Sequence, residues 1–203
     1  MAIERITVLI SGRGSNLGAL LAAQAGGTLA GAITHVISNR PAAPGLALAR
    51  DAGVATSVVD HTAFASREAF ERALAMEIDR SEPGLIVLAG FMRVLGAPFV
   101  SRYSGRMINI HPSLLPAYAG LHTHRRVLAD GAREHGCTVH FVTADVDGGP
   151  IILQGRVDVG AGDDEAGLAA RVLAVEHRVL AEAVNLFCEG RLSIAGGRVE
   201  RAP

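Results

Sequence analysis

Ile6-Thr7-Val8-Leu9-Ile10-Ser11-Gly12-Arg13-Gly14-Ser15-Asn16-Leu17 is the stretch from which the architecture is read. Ile6 to Ile10 is a continuous apolar run, the pattern of a strand buried on both faces of a parallel sheet. Gly12-Arg13-Gly14-Ser15-Asn16 follows, and Leu17, Leu20 and Leu21 then recur at helical spacing, so the order is strand, glycine turn, helix. This geometry suits an anion: glycines admit close backbone approach, and the first N–H groups of the helix point at the ligand. The third glycine of a dinucleotide fingerprint and the Lys-Ser/Thr pair of a P-loop are missing. A plain glycine turn capped by Ser15 or Asn16 explains the same residues.

Working outward, Ala32 to Ser38, Ala55 to Val59, Leu85 to Ala89 and Met107 to His111 read as further strands. Between them, helices are expected over Gly45 to Asp51 and from Ser66, where Phe70, Leu74 and Ile78 share a face. Arg67 stands at the positive end of that helix as a candidate anion ligand. Gly90-Phe91-Met92-Arg93-Val94-Leu95 continues apolar past its strand, as the wall of an organic-ligand pocket or as core. Further on come a helix around Arg125 to Asp130 and strands at Thr138 to Val142 and Ile151 to Val159, the latter expected to run antiparallel to the rest. Asp163 and Asp164 cap a long helix carrying Leu168, Val172, Val175, Val179 and Leu180, and Leu192 to Val199 closes as a hairpin over Ala195-Gly196-Gly197. The alternation predicts an α/β fold: one Rossmann-like three-layer sandwich over residues 1–203, mostly parallel, with antiparallel strands near the C-terminal part.

Composition narrows the function. A chain of 203 residues, 49% of them hydrophobic, builds one buried core and is not disordered. No apolar run reaches membrane-span length, and Met1-Ala2-Ile3-Glu4-Arg5 leads straight into a strand without a signal segment, so a cytoplasmic location is expected. Two cysteines without a Cys-x-x-Cys spacing argue against a disulfide framework or thiolate zinc site. A net charge of −1 offers no footprint for nucleic acid, which favours a small-molecule substrate. His122 and His124 lack a third metal ligand. Asp145-Val146-Asp147-Gly148 is not a calcium loop, because Pro150 occupies the glycine position and Arg156 that of the closing glutamate. No metal is expected.

Asn109-Ile110-His111-Pro112-Ser113-Leu114-Leu115-Pro116 holds the candidate chemistry. Side chains at i and i+2 of a strand share a face, so the Asn109 amide and the His111 imidazole converge. Pro112 cannot continue the ladder, so the pair sits at the lip of the sheet, where open α/β folds bind ligands. Taken alone, the segment reads equally as a capped strand with one satisfied histidine.

With Ser11 to Leu17, Asn109 to Pro116 and Asp147-Gly148-Gly149-Pro150 in one chain, the sequence closely resembles the phosphoribosylglycinamide formyltransferases of purine biosynthesis. Gly90-Phe91-Met92-Arg93, Gly120-Leu121-His122-Thr123-His124 and His140-Phe141-Val142-Thr143 extend the likeness over essentially the whole chain. The resemblance implies 10-formyltetrahydrofolate as formyl donor and glycinamide ribonucleotide as acceptor, in a monomer or homodimer without metal. It implies Asn109, His111 and Asp147 as the catalytic triad. Gly14, Ser15 and Asn16 would hold the ribonucleotide phosphate and Glu176 its ribose. Arg67, Met92, Arg93, Val94, Leu95, Asn109 and the Thr143-Ala144-Asp145-Val146-Asp147 loop would bind the folate. The chain departs from its relatives at Leu173, where a polar residue often stands near the phosphate, and at Ala117 and Ala119, often Lys and Pro.

The chemistry fits these residue types. Amine attack on a formyl carbon builds charge on the formyl oxygen, which an imidazolium at His111 and the Asn109 amide would stabilise, with Asp147 favouring the charged ring. A water held by Asp147 would relay the proton from the amine. No covalent intermediate is required, consistent with the lack of a nucleophile motif. The alternative within enzymes is a 10-formyltetrahydrofolate hydrolase, in which water replaces the amine, although such enzymes precede the fold with a regulatory domain for which there is no room before Ile6. Methionyl-tRNA formyltransferases share the catalytic segment but carry a further C-terminal domain. A nicotinamide-dependent oxidoreductase, with Arg40 on a 2′-phosphate, leaves Asn109, His111 and Asp147 unexplained, and a ligand sensor on the same scaffold predicts binding without turnover.

Overall fold

The computed structural model describes residues 4–202, so Met1, Ala2 and Ile3 of the expected run into the first strand lie outside the described residues. Strands β1 (Glu4–Ile10), β2 (Gly31–Ser38), β3 (Ala55–Val58), β4 (Leu85–Leu88) and β5 (Met107–His111) are joined by helices α1 (Ser15–Ala25), α2 (Gly45–Asp51), α3 (Arg67–Asp79) and α4 (Ala97–Arg102). Then follow α5 (Thr123–Ala129), β6 (Glu134–Phe141), β7 (Ile151–Asp158), α6 (Glu165–Cys188), and the hairpin of β8 (Leu192–Ala195) and β9 (Arg198–Arg201). The main sheet has the order β3-β2-β1-β4-β5-β6-β7.

β1 to β5 pair in parallel, as the helical crossovers between them demand. Period-two alternation sorts their side chains into two cores. Ile6, Val8, Ile10, Leu85 and Val87 face the layer of α1, α2, α5 and α6. Leu9, Ile86 and Leu88 face Phe70, Leu74 and Ile78 of α3 and Phe99 and Val100 of α4. Both faces of the sheet are therefore covered, and each buried Leu or Ile contributes about 1.5–3 kcal/mol.

The expectation that the Ile151 strand runs antiparallel to the rest is corrected. β6 is the reversed strand, antiparallel to both β5 and β7, so β7 points the same way as β1 to β5. The reason is the connection 142–150, too short for the crossover a parallel β6/β7 pair would need. α4 was not foreseen, since the apolar run before it reads as wall or core; Gly96 opens it and Pro98 sits in its first turn, where a missing N–H costs nothing. Ser66 caps α3 through Ala69 N–H as expected. Only Asp164 caps α6, through Gly167 N–H; Asp163 accepts from Gly160 N–H and pairs with Arg171.

After β1 the chain steps outward to β2 and β3, whereas β4 and β5 lie on the other side of β1. The carboxyl ends of β1 and β4 thus flank a topological switch point, the crevice where such sheets bind ligands.

Candidate active site

Sheet register decides which groups meet at the end of β5. Asn109 lies opposite His140 and His111 opposite Thr138, and directly opposed side chains are close enough to bond. Asn109 Nδ2 reaches His140 Nε2 at 3.2 Å. His140 Nδ1 lies 2.9 Å from the Phe141 carbonyl, which only accepts, so Nδ1 carries the hydrogen and Nε2 takes one from Asn109. Burial pushes the His140 ring below the usual imidazole range, against the raising effects of the Phe141 carbonyl and Asp147. A neutral His140 thereby sets the orientation of the Asn109 amide.

Past Pro112 the chain is anchored to β6. Thr138 Oγ1 donates to the Ser113 carbonyl at 2.7 Å and accepts from Leu115 N–H at 3.0 Å, and Gln154 donates to the Leu115 carbonyl at 2.9 Å. The Leu115-Pro116 peptide is cis. The segment then returns so that the Tyr118 carbonyl stands 3.1 Å from His111 Nε2. A carbonyl there requires a hydrogen on Nε2, so the proton that makes the ring cationic resides on Nδ1. Nδ1 faces Asp147 Oδ2 at 3.5 Å. The same oxygen accepts from Gly120 N–H at 2.9 Å, and Asp147 Oδ1 lies 3.8 Å from His140 Nε2. Four non-glycine residues among those described have positive φ, and Tyr118, His122 and Asp147 are three of them; such conformations gather where the surroundings enforce them for a purpose.

The glycine turn after β1 does not use a side-chain cap. Gly14, at φ 75°, precedes α1 without one, and Ser15 and Asn16 turn toward α6 instead. Asn16 Nδ2 donates to Glu176 Oε2 at 2.7 Å, and Ser15 Oγ meets His177 Nε2 at 2.7 Å. The glycine is required: a Cβ at position 14 would lie 2.8 Å from Gly45 Cα. Glu176 is buried, and burial pushes its carboxyl up while the Asn16 bond and the nearby His111 pull it down. Asn16 Oδ1 is buried without a protein partner. A buried acceptor of this kind calls for a donor, and the first N–H groups of α1, which have no intrahelical acceptor, lie at the same end.

Residues 90–96 cross the mouth of the crevice. Ser11 N–H donates to the Gly90 carbonyl at 3.1 Å and Met92 N–H donates to Ser11 Oγ at 2.7 Å; at the far end Gly96 N–H donates to Glu71 Oε1 at 2.7 Å. Met92, Arg93 and Val94 are exposed and Leu95 is buried. Arg67 opens α3 half exposed, its Nε 3.8 Å from Glu71 Oε1 and 3.9 Å from Glu68 Oε1. Thr143 Oγ1 donates to the Asp145 carbonyl at 3.2 Å, and Ala144, Asp145 and Val146 are exposed. The structure therefore gathers Asn109, His111 and Asp147 in one cluster and Ser15, Asn16 and Glu176 in another. Arg67, residues 92–95 and residues 143–146 belong to separate segments, and among the described residues no hydrogen bond joins these segments. Nor does any group of three or more His, Cys, Asp or Glu among them stand ready for a metal; His124 Nδ1 instead lies 2.9 Å from His135 Nε2.

Residues 4–184 match the formyl transferase family. The chain belongs to that family. It is 52% identical over 189 residues to phosphoribosylglycinamide formyltransferase of Escherichia coli (strain K12), a match covering 93% of this chain and 89% of the relative. Glycinamide ribonucleotide transformylase 1 from Symbiobacterium toebii superposes with a TM-score of 0.96 at 48% identity, covering 99% of this chain and 95% of that one. A formyltetrahydrofolate deformylase from Pseudomonas syringae pv. tomato str. DC3000 has a TM-score of 0.92 at 24% identity, with this chain covering 67% of that chain; that likeness shows the fold alone.

In this formyl transferase several site groups carry little signal in the sequence. His140 was legible only as part of a motif, because its pairing with Asn109 depends on a register set by residues far apart in sequence. The Tyr118 carbonyl and Gly120 N–H act through backbone placement, which no residue type announces, and the Thr138 hydroxyl finds its partners only through the pairing of β6 with β5. Ser11 and Glu71 tether the 90–96 segment from different elements. His177 follows Glu176 directly on α6, and that adjacency was the available signal.

Proposed function

We propose that the protein transfers the formyl group of 10-formyltetrahydrofolate to the amino group of glycinamide ribonucleotide, a step of purine biosynthesis. The observation that carries this reading is the placement of Asp147 3.5 Å from His111 Nδ1, with the Asn109 amide oriented beside them. The acceptor amine attacks the formyl carbon, and the charge that grows on its oxygen is met by the His111 imidazolium and by the second Asn109 N–H. His111 Nδ1 supplies the proton with which the folate nitrogen leaves while Asp147 steadies the charged ring, and the proton that the attacking amine loses is relayed by a water held on Asp147, restoring the ring. Phosphate is assigned to the cradle of Gly14, Ser15 and Asn16. Glu176 and the unpartnered Asn16 Oδ1 are two acceptors suited to ribose hydroxyls. The folate is assigned to Arg67, Met92, Arg93, Val94, Leu95, Asn109 and residues 143–147, whose exposed apolar side chains at Met92, Val94 and Val146 suit a heteroaromatic ring. No metal takes part. No helix among the described residues is long and apolar enough to cross a membrane, and cytoplasmic action on small molecules, as monomer or homodimer, is part of the same proposal.

The test is release of the deformylated folate with and without the ribonucleotide, in the wild type and in His111→Ala and Asp147→Ala. Turnover that requires the ribonucleotide and falls by roughly 10²–10⁴-fold in each variant, while both ligands still bind, supports the reading. Formate release without the ribonucleotide would make the protein a hydrolase, and near-normal turnover in folded His111→Ala would remove the triad.

A further inference from the structure

The segment that returns from Pro116 to α5 has two sides, and its backbone groups divide between them. Toward the crevice, the Tyr118 carbonyl takes the His111 Nε2 hydrogen at 3.1 Å and Gly120 N–H donates to Asp147 at 2.9 Å. Away from it, the two carbonyls in alternation with these groups share one partner: Arg126 Nη1 donates to Ala119 O at 2.7 Å and to Leu121 O at 3.4 Å. The Arg126 guanidinium carbon also lies 5.4 Å from the centre of the Tyr118 ring, within cation–π range. The backbone between is one that seldom holds itself. Tyr118, Gly120 and His122 have φ of 56°, 82° and 57°, and a left-handed conformation is uncommon for a bulky side chain.

We infer that Arg126 is a positioning residue for the catalytic pair: by holding the Ala119 and Leu121 carbonyls it presents Tyr118 O to His111 and Gly120 N–H to Asp147. The consequence is chemical. With Nε2–H committed to Tyr118, the transferable proton of His111 stays on Nδ1 beside the carboxylate; with the strap released, the ring is free to turn or to change tautomer. A planar guanidinium serves here better than an ammonium, since it bonds carbonyls at its edge while stacking on the Tyr118 ring. The inference rests on the proposed function, because it takes His111 as the proton donor.

The experiment compares Arg126→Met and Arg126→Lys with wild type in the full chain, with His111→Ala measured alongside. Met and Lys both favour helix and Arg126 is exposed on α5, so folded protein is expected; the Lys variant serves if the Met variant fails to fold. The readouts are kcat, both Michaelis constants and the ¹⁵N spectrum of the His111 ring. Loss of such an orienting group costs roughly 10–100-fold in activity. The expected result is a fall of that size in kcat for Arg126→Met, a ribonucleotide Michaelis constant within about twofold, loss of the Nε2–H tautomer, and partial recovery with Lys. A kcat within twofold of wild type overturns the inference, as does a lowered kcat with the His111 tautomer unchanged. Turnover surviving in His111→Ala removes the parent reading and this one together, whereas an inactive His111→Ala beside a fully active Arg126→Met removes this one alone.

Discussion

Replacing Gly14 by alanine tests the anion cradle through stability and binding at once. Gly14 has φ 75°, and a Cβ in the left-handed region costs about 1–2 kcal/mol. The new methyl would stand 2.8 Å from Gly45 Cα, well inside the roughly 3.5–4.0 Å at which carbon atoms rest, and forced overpacking adds about 1–3 kcal/mol. Gly45 has little room to retreat, since its N–H is bonded to Gly12 O at 3.1 Å and its own outward side faces Ile10. The turn must therefore move, carrying the first N–H groups of α1 with it. The sum, about 2–5 kcal/mol, is a large part of the 5–15 kcal/mol that holds a domain folded. It corresponds to a melting temperature lower by roughly 4–20 °C for a chain of this size. A displacement near 1 Å costs roughly 10²-fold in a positioned interaction, so the ribonucleotide Michaelis constant should rise by about 10–100-fold while that of the folate stays within about twofold. Gly12→Ala is the internal control for stability, because its φ is ordinary and a Cβ there meets nothing within 4 Å. Calorimetry and steady-state kinetics with each substrate varied suffice. Gly14→Ala protein with an unchanged melting temperature and ribonucleotide Michaelis constant, or with both constants raised equally, refutes the reasoning.

Two further outcomes follow from buried groups. Burial first, then the charges of His124 and His111, push His135 down to about 4. Because this folded value lies below the unfolded 6.5, the unfolded chain binds more protons between them, so the stability is complete above about pH 6.5 and drains away as pH falls toward 4. Urea midpoints should drop between pH 7 and pH 5 and drop less in His135→Gln; an equal drop in both proteins counts against the account. Burial pushes the thiols of Cys137 and Cys188 up to about 12, so at pH 8 a disulfide reagent should find no fast-reacting thiol in the folded chain and both after denaturation. A thiol that reacts within seconds in the native protein would contradict this.

Much of the fold is visible in local pattern. The glycine turn after Ile10, the cap at Ser66 and the apolar runs of β1 and β4 follow from backbone and side-chain preferences acting over a few residues. The direction of β7 is not legible locally because it depends on β6, a strand whose own orientation is settled by the length of the 142–150 connection and by pairing with β5. α4 was hidden by an apolar run that serves core and crevice alike.

The candidate site divides along the same line. That Asn109 and His111 share a face is a consequence of strand periodicity, and that the chain leaves the sheet after them is a consequence of Pro112; both are written in adjacent residues. That Asp147 comes to rest 3.5 Å from His111, that His140 orients Asn109, and that Arg126 secures the strap over them belong to the tertiary structure alone. Those contacts join residues up to 36 positions apart, 147 against 111, and only the summed packing of the sheet and its two helical layers selects one register from the many that local preference allows.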